Sequence, residues 1–430
     1  MTDSRVGQTI AAFAVFLSLT ACGSDSSGTE ATAAEAQEPT ATAVVEPTAV
    51  PATPAPVEPA PVLETEAPED PRFALEGEIG LDASELNELV AFVEETAGRE
   101  FLRPPRIVAQ AKAEYEAGLG PDDAELAEFN DTIDADMRSL QAMGLTELGV
   151  ADASAAWLGL MTSAEGVLGY YTSDDDAIYV PIASSVDDRF RSTVVHELVH
   201  ALDAQYVDLI AVEERLDAAG QANNFDEAFA LISIVEGRAS SVQFRWDQIN
   251  GVMPETELPE GMDQVPAAAI LATALPYSLG LQYIEANGGP AQTWELYEDG
   301  PVTSEAILTG GLDGETVAVP MPDSDGPVLN NGPFGSVDIV LMLIGDSLEP
   351  SPLVVQSAVF AADGWAGGQS VVWGDDRESC VRIELRADTP EDLEEIETVF
   401  GFWAEEAPDI RTVEANSDRV LVTGCAPYLP

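Results

Sequence analysis

Both histidines of this 430-residue chain, His196 and His200, stand four apart in the stretch Val-Val-His-Glu-Leu-Val-His-Ala-Leu-Asp-Ala-Gln, from Val194 to Gln205. The spacing predicts a helix, because residues four apart share a helical face and both imidazoles then turn toward one point. Val195, Val199 and Leu202 repeat on the helical period and give that helix a buried side. Glu197 follows His196 by about 100° of rotation, close enough to reach a water on a metal held by both rings. Two histidines placed at random in such a chain fall four apart roughly once in 200, so the arrangement reads as chemistry. The fold must therefore build a core around a helix that presents two ring nitrogens to one site.

The charge balance excludes one large class of partner. Seventy-eight acids against 17 bases give a net charge of −61, which repels phosphate backbones, so no nucleic acid is expected as a partner. A carboxylate-rich surface of this kind is similar to that of proteins from salt-adapted organisms, and equally suits an acidic secreted protein.

The first residues predict export. An apolar run from Ile10 to Ala21 is too short for a permanent membrane span and has the length of a signal-peptide core. It ends in Leu19-Thr20-Ala21-Cys22, which resembles a bacterial lipobox. That resemblance implies lipidation of Cys22 and anchoring at the outer face of the cytoplasmic membrane, with release to the extracellular side as the alternative. Residues 23–71 are rich in Ala, Thr, Pro and Glu and contain no Lys or Arg, a composition expected to remain a disordered acidic tether. Cys380 and Cys425 are the remaining cysteines, and in an exported domain an even pair predicts a disulfide.

A catalytic zinc site takes three protein ligands and leaves a fourth position for water. With no third histidine and no free cysteine, the third ligand must be a carboxylate. Glu236 ends the run Phe-Ala-Leu-Ile-Ser-Ile-Val-Glu, where a carboxylate is costly unless it is paired or bound to metal. Asp226 and Glu227, nearer the start of the same helical segment, are rivals. Gly237, Ala239, Ser240 and Ser241 are small and are expected to let this helix approach the histidine helix closely.

Patterning along the rest predicts an α+β fold in two parts, residues 72–345 and 346–430. Asp82 with Glu85 marks a helix start, and Ser185 with Asp188 marks the start of the histidine helix. Residues 166–180 read as a β-hairpin around Ser-Asp-Asp-Asp, with Ala177–Val180 as a candidate sheet edge to which a peptide could add as a strand. Helices are expected over 126–145, 225–248 and 266–289, the last containing Pro276 and ending at Gly288-Gly289. Beyond residue 350, strands flank a helix in a small C-terminal α+β module. Asp174–Asp176 and Asp323–Gly326 read as solvated turns.

These residues carry a resemblance. His-Glu-x-x-His on one helix with a glutamate on a following helix is similar to the gluzincin group of zinc metallopeptidases. More closely, the chain resembles a group of bacterial exported proteins in which His-Glu-Leu-x-His-Ala-Leu precedes a Gln, an Asp-Leu and, later, a Glu-Gly. The matching positions are His196–Leu202, Gln205, Asp208-Leu209 and Glu236-Gly237. Further similarity lies in the hairpin at 166–180, in Pro276-Tyr277, in Gly288-Gly289, in Ser304-Glu305 and in Gly364-Trp365 with Gly367-Gly368. Coverage runs from about 85 to 400 through scattered motifs. The chain departs from the group at Ala204 and Arg238, where aspartate is common, and at Thr309, where histidine is frequent.

The resemblance implies a zincin-like, mainly helical metallopeptidase core with a small N-terminal sheet. It also implies zinc held by His196, His200 and Glu236, with Glu197 as general base and a peptide or protein as substrate. Gluzincins often stabilise the oxyanion with a His or Tyr. That role falls first to Tyr277, then to Tyr206 and Arg238. The competing reading is a non-catalytic lipoprotein that keeps this fold as a binding module.

Overall fold

The computed structural model describes residues 72–119, 123–163 (side chains from 132), 167–182, 186–253, 262–311 and 316–430. The expected signal peptide, Cys22 and the expected tether over 23–71 lie outside the described residues, as does Ser185. The described chain is α+β, and residues from Pro71 onward form one compact unit.

The first sheet is built from β1 (Ala74–Glu76), β2 (Arg106–Gln110), β3 (Tyr170–Thr172) and β4 (Ala177–Pro181), in the order β1-β2-β4-β3. β1 and β2 are parallel, as are β2 and β4, whereas β3 and β4 form the antiparallel hairpin expected around Ser173–Asp176. Ala177–Val180 is therefore an interior strand and not an edge. Its backbone groups are taken on one side by β2 and on the other by β3, which is the last strand of this sheet among the described residues. The turn is held by its own side chains: Tyr171 donates to Asp176, Tyr179 to Asp175 and Arg103 to Asp176.

Helices cover one another around this sheet. The helix Ala83–Ala97 starts at Asp82, whose carboxylate accepts from the N–H groups of Ser84 and Glu85 while Glu85 reaches back to the Asp82 N–H. The histidine helix spans Asp188–Asp203 and is capped by Asp187, which accepts from the Phe190 N–H at 2.9 Å. The cap thus falls later than Ser185 because Asp187 is the residue whose backbone is extended and whose side chain reaches an orphan N–H. From Ser192 to Asp203 every residue is buried, so this helix is enclosed on all sides and not only along its Val195–Val199–Leu202 stripe.

The glutamate helix, Phe225–Asn250, is the longest in the molecule's core. Its partner Ala267–Ala286 runs through Pro276 and is long and apolar enough to cross a membrane by length and composition alone. Here half of it is buried inside the protein. The two helices touch backbone to backbone. A Cβ on Gly237 would meet the Gly280 carbonyl carbon at 2.3 Å, and one on Gly280 would meet the Ser233 carbonyl oxygen at 2.1 Å. The close approach expected of Gly237 is therefore made to Ala267–Ala286 and not to the histidine helix. Ser241 continues the same seam by donating to Glu285.

The second sheet is antiparallel, with β5 (Val328–Pro333), β6 (Trp365–Gly374), β7 (Glu378–Ala387), β8 (Arg411–Ala415) and β9 (Val420–Pro427) in the order β5-β6-β7-β9-β8. Its first strand precedes residue 346, so the C-terminal module draws an edge from the chain before that position. Val381, Ile383, Leu385, Val420 and Val422 pack under the helix Pro390–Glu405 in a second core. Cys380 and Cys425 stand opposite each other on β7 and β9, and their sulfurs are bonded at 2.06 Å.

Candidate metal centre

His196, His200 and Glu236 converge. One ligand atom from each lies within 4.8 Å of the others, and among the described residues this is the group placed to hold a metal ion. Glu236 Oε2 is 3.0 Å from His196 Nε2 and 3.5 Å from His200 Nε2. All three are buried, with Glu236 1% and His196 0% exposed. Burial pushes the Glu236 carboxyl up, but the neighbouring imidazoles, His200 foremost, override this and hold it down at about 2. A buried carboxylate against two ring nitrogens is the donor set that suits a borderline-soft divalent cation.

The rivals for the third ligand are engaged elsewhere. Asp226 accepts from the backbone N–H and hydroxyl of Ser304. Glu227 accepts from the side chain of Asn224 at the helix start and lies 3.7 Å from Arg215.

Several buried polar atoms at or near the site are poorly satisfied, although Tyr277 approaches Glu236 and the Tyr171 backbone approaches Glu197. Both carboxylate oxygens of Glu197, the hydroxyls of Tyr277 and Tyr115, and the Ser233 hydroxyl are buried without a hydrogen bond of normal geometry. Buried groups of this kind are costly unless something else satisfies them. Burial pushes Glu197 up to about 8. His196 opposes this push and Glu236 adds to it. A bound cation acts in the opposite direction and favours the ionised form. Gly169 lets the hairpin press on this residue, since a Cβ there would stand 3.2 Å from Glu197 Cγ and 3.0 Å from Thr193 Cγ2.

Tyr277 stands beside the His196 ring. Its ring is 5.9 Å from that of His196 and nearly parallel to it, and burial together with the Glu236 and Glu197 charges keeps its hydroxyl protonated. Tyr115 was not among the expected residues. It sits on the short helix Lys112–Leu119, fully buried, and burial followed by the Glu197 charge raises its hydroxyl too. No motif marks it, because its approach to Glu197 depends on the packing of that helix against the first sheet.

The other two oxyanion candidates are occupied. Tyr206 donates to the Glu100 carbonyl at 2.6 Å and meets the Trp294 ring edge-on. Arg238 makes a bidentate pair with Asp203, 3.1 Å on each arm, and donates to Pro290 O and Thr293 Oγ1. Gln205 exchanges two hydrogen bonds with the backbone of Arg103, and Asp208 caps the helix Leu209–Gln221.

One further residue escaped sequence reasoning. Gln243, two turns beyond Glu236 on the same helix, has its Oε1 2.9 Å from His196 Nδ1, while its Nε2 donates to Ser192 Oγ at 3.0 Å. Because the amide oxygen faces Nδ1, that nitrogen carries the proton and Nε2 is left as the ligand atom. Gln243→Ala is expected to weaken metal binding by about 10- to 100-fold, read by competition with a chromogenic chelator. Retention of wild-type affinity would show that packing alone orients the ring.

A scan against protein-family models and searches of curated proteins and solved structures found no match to this chain. What the fold and site define is an α+β protein with a buried two-histidine, one-carboxylate group able to hold a metal ion.

Proposed function

We propose that the chain is an exported zinc-dependent peptidase of the gluzincin type, anchored to the membrane by lipid on Cys22. The observation that carries this is the meeting of His196, His200 and Glu236 beside Glu197, a buried carboxylate that no side chain pairs. A site built only to hold structure fills the fourth position with protein and has no need of an unpaired base. Zinc bound there would polarise a carbonyl and acidify water.

The remaining roles belong to the chain. Glu197 accepts the proton of the attacking water and passes it to the leaving amine. Tyr277, held protonated, donates to the developing oxyanion. The substrate is a peptide or protein, and Ala177–Val180, interior to its sheet, does not take it by strand addition.

A second reading is favoured by one observation. The ligands and Glu197 are almost fully enclosed, as in a metal-stabilised binding module. Measuring zinc content and cleavage of a broad peptide library separates the two. The peptidase reading expects one zinc per chain, with Glu197→Gln retaining it while cleavage falls by about 10²–10⁴-fold. Zinc in both forms with cleavage by neither supports the binding module, and a wild-type protein that takes up no zinc overturns both.

A further inference from the structure

A second cavity, of about 410 Å³, opens between the helix Asp123–Met143, the first turns of the glutamate helix and of Ala267–Ala286, and strand β5. This is within the range of small-molecule sites. None of His196, Glu197, His200, Glu236 or Tyr277 lines it. Ala228 on its wall precedes Glu236 by eight residues, about 12 Å along the helix.

The wall is largely apolar, with Met137, Trp157, Phe225 and Leu341 among its side chains. Among the described residues, the formal charges on its wall are two carboxylates, Asp136 and Asp338, with no Lys, Arg or His. Asp136 is open to solvent, while burial, with the Asp226 charge adding to it, pushes Asp338 up to about 7. The protein answers each carboxylate with neutral donors. Asn330 Nδ2 donates to Asp136 at 3.1 Å, and the Gly335 N–H donates to Asp338 at 2.7 Å. The polar rim is fixed. Asn223, held at φ 49°, donates to the Asn331 carbonyl at 3.0 Å, and a Cβ on Gly332 would meet the Asn223 carbonyl oxygen at 2.3 Å.

We propose that this cavity binds an apolar organic cation, an amine or guanidinium carried on a hydrocarbon body. The apolar wall takes the body by desolvation, and the two carboxylates select a positive head over a neutral or negative one. The inference does not rest on the metal or on the peptidase reading.

The test is a titration of the full chain with naphthylethylamine at physiological salt, with naphthylethanol and naphthylacetate as neutral and anionic controls. A net charge of −61 attracts amines everywhere, so saturable one-site binding is the relevant readout. The amine is expected to bind one site at least about tenfold tighter than the alcohol, with the acetate not binding. Asp136→Asn, and Asp136→Asn with Asp338→Asn, should bring the amine to the level of the alcohol while zinc content and melting temperature stay as in the wild type. Asn at 338 keeps an acceptor for the Gly335 N–H, and Asp136 is accessible enough that its single variant serves if the double one fails to fold. Amine binding no tighter than alcohol binding, or binding unchanged in folded Asp136→Asn, overturns the proposal.

Discussion

Arg238→Ala is expected to lower the free energy of unfolding by about 3–5 kcal/mol, because it strands a fully buried carboxylate. Both partners of the Arg238–Asp203 pair are 0% exposed, and the guanidinium lies 4.0 Å from the centre of the Trp294 ring. Burial alone would lower the Arg238 pKa, but Asp203 more than compensates. Tyr297 also donates to Asp203, so one carboxylate collects three donors from two chain segments. The pair joins the helix that carries His200 to the helix that carries Glu236, two residues before Arg238. Its loss is therefore felt at the metal centre as well as in global stability. Denaturant titration reads the first effect and chelator competition the second. Replacing both partners by apolar residues of similar size should recover much of the loss, since the ion pair itself contributes little beyond what its breakage costs. A loss of less than about 1 kcal/mol, the value typical of an exposed pair, would show that water reaches Asp203 in the variant.

Glu236→Ala is expected to weaken metal binding on the order of 10²–10³-fold, roughly one ligand's share of the binding free energy of a zinc site. Activity that depends on the metal should fall to background. The two rival carboxylates on the same helix are engaged elsewhere. Asp226 is tied to Ser304 and Glu227 to Asn224 and Arg215, so neither can swing into the site. Asp226→Asn is the informative control and should leave metal content unchanged. Full zinc content in Glu236→Ala would sink the ligand assignment, whatever the effect on cleavage.

Much of the site was legible because its determinants are local. His196, Glu197 and His200 share one helical turn, and helical spacing alone places their side chains. The cost of a carboxylate at the end of an apolar run singled out Glu236. Cap chemistry located the start of Ala83–Ala97, because Asp82 and Glu85 satisfy each other's backbone within four residues. The same reasoning put the start of the histidine helix near Ser185, which lies outside the described residues; the described cap is Asp187, chosen by the backbone conformation. Strand positions were readable, but strand order was not. Alternation identifies Ala177–Val180 as a strand without saying that β2 pairs with its outer side.

What the sequence determined by itself was periodic or compositional: the helices, the hairpin, the paired cysteines, the two imidazoles on one face and the need for a carboxylate to join them. The tertiary structure decided what depends on contacts between distant segments. It turned Gly237 toward Gly280, gave Arg238 to Asp203 rather than to an oxyanion, set Gln243 behind His196 and brought Tyr115 within electrostatic reach of Glu197. The physical reason is that a helix fixes where a side chain points along its own axis, while the partner it meets there depends on how separate elements pack.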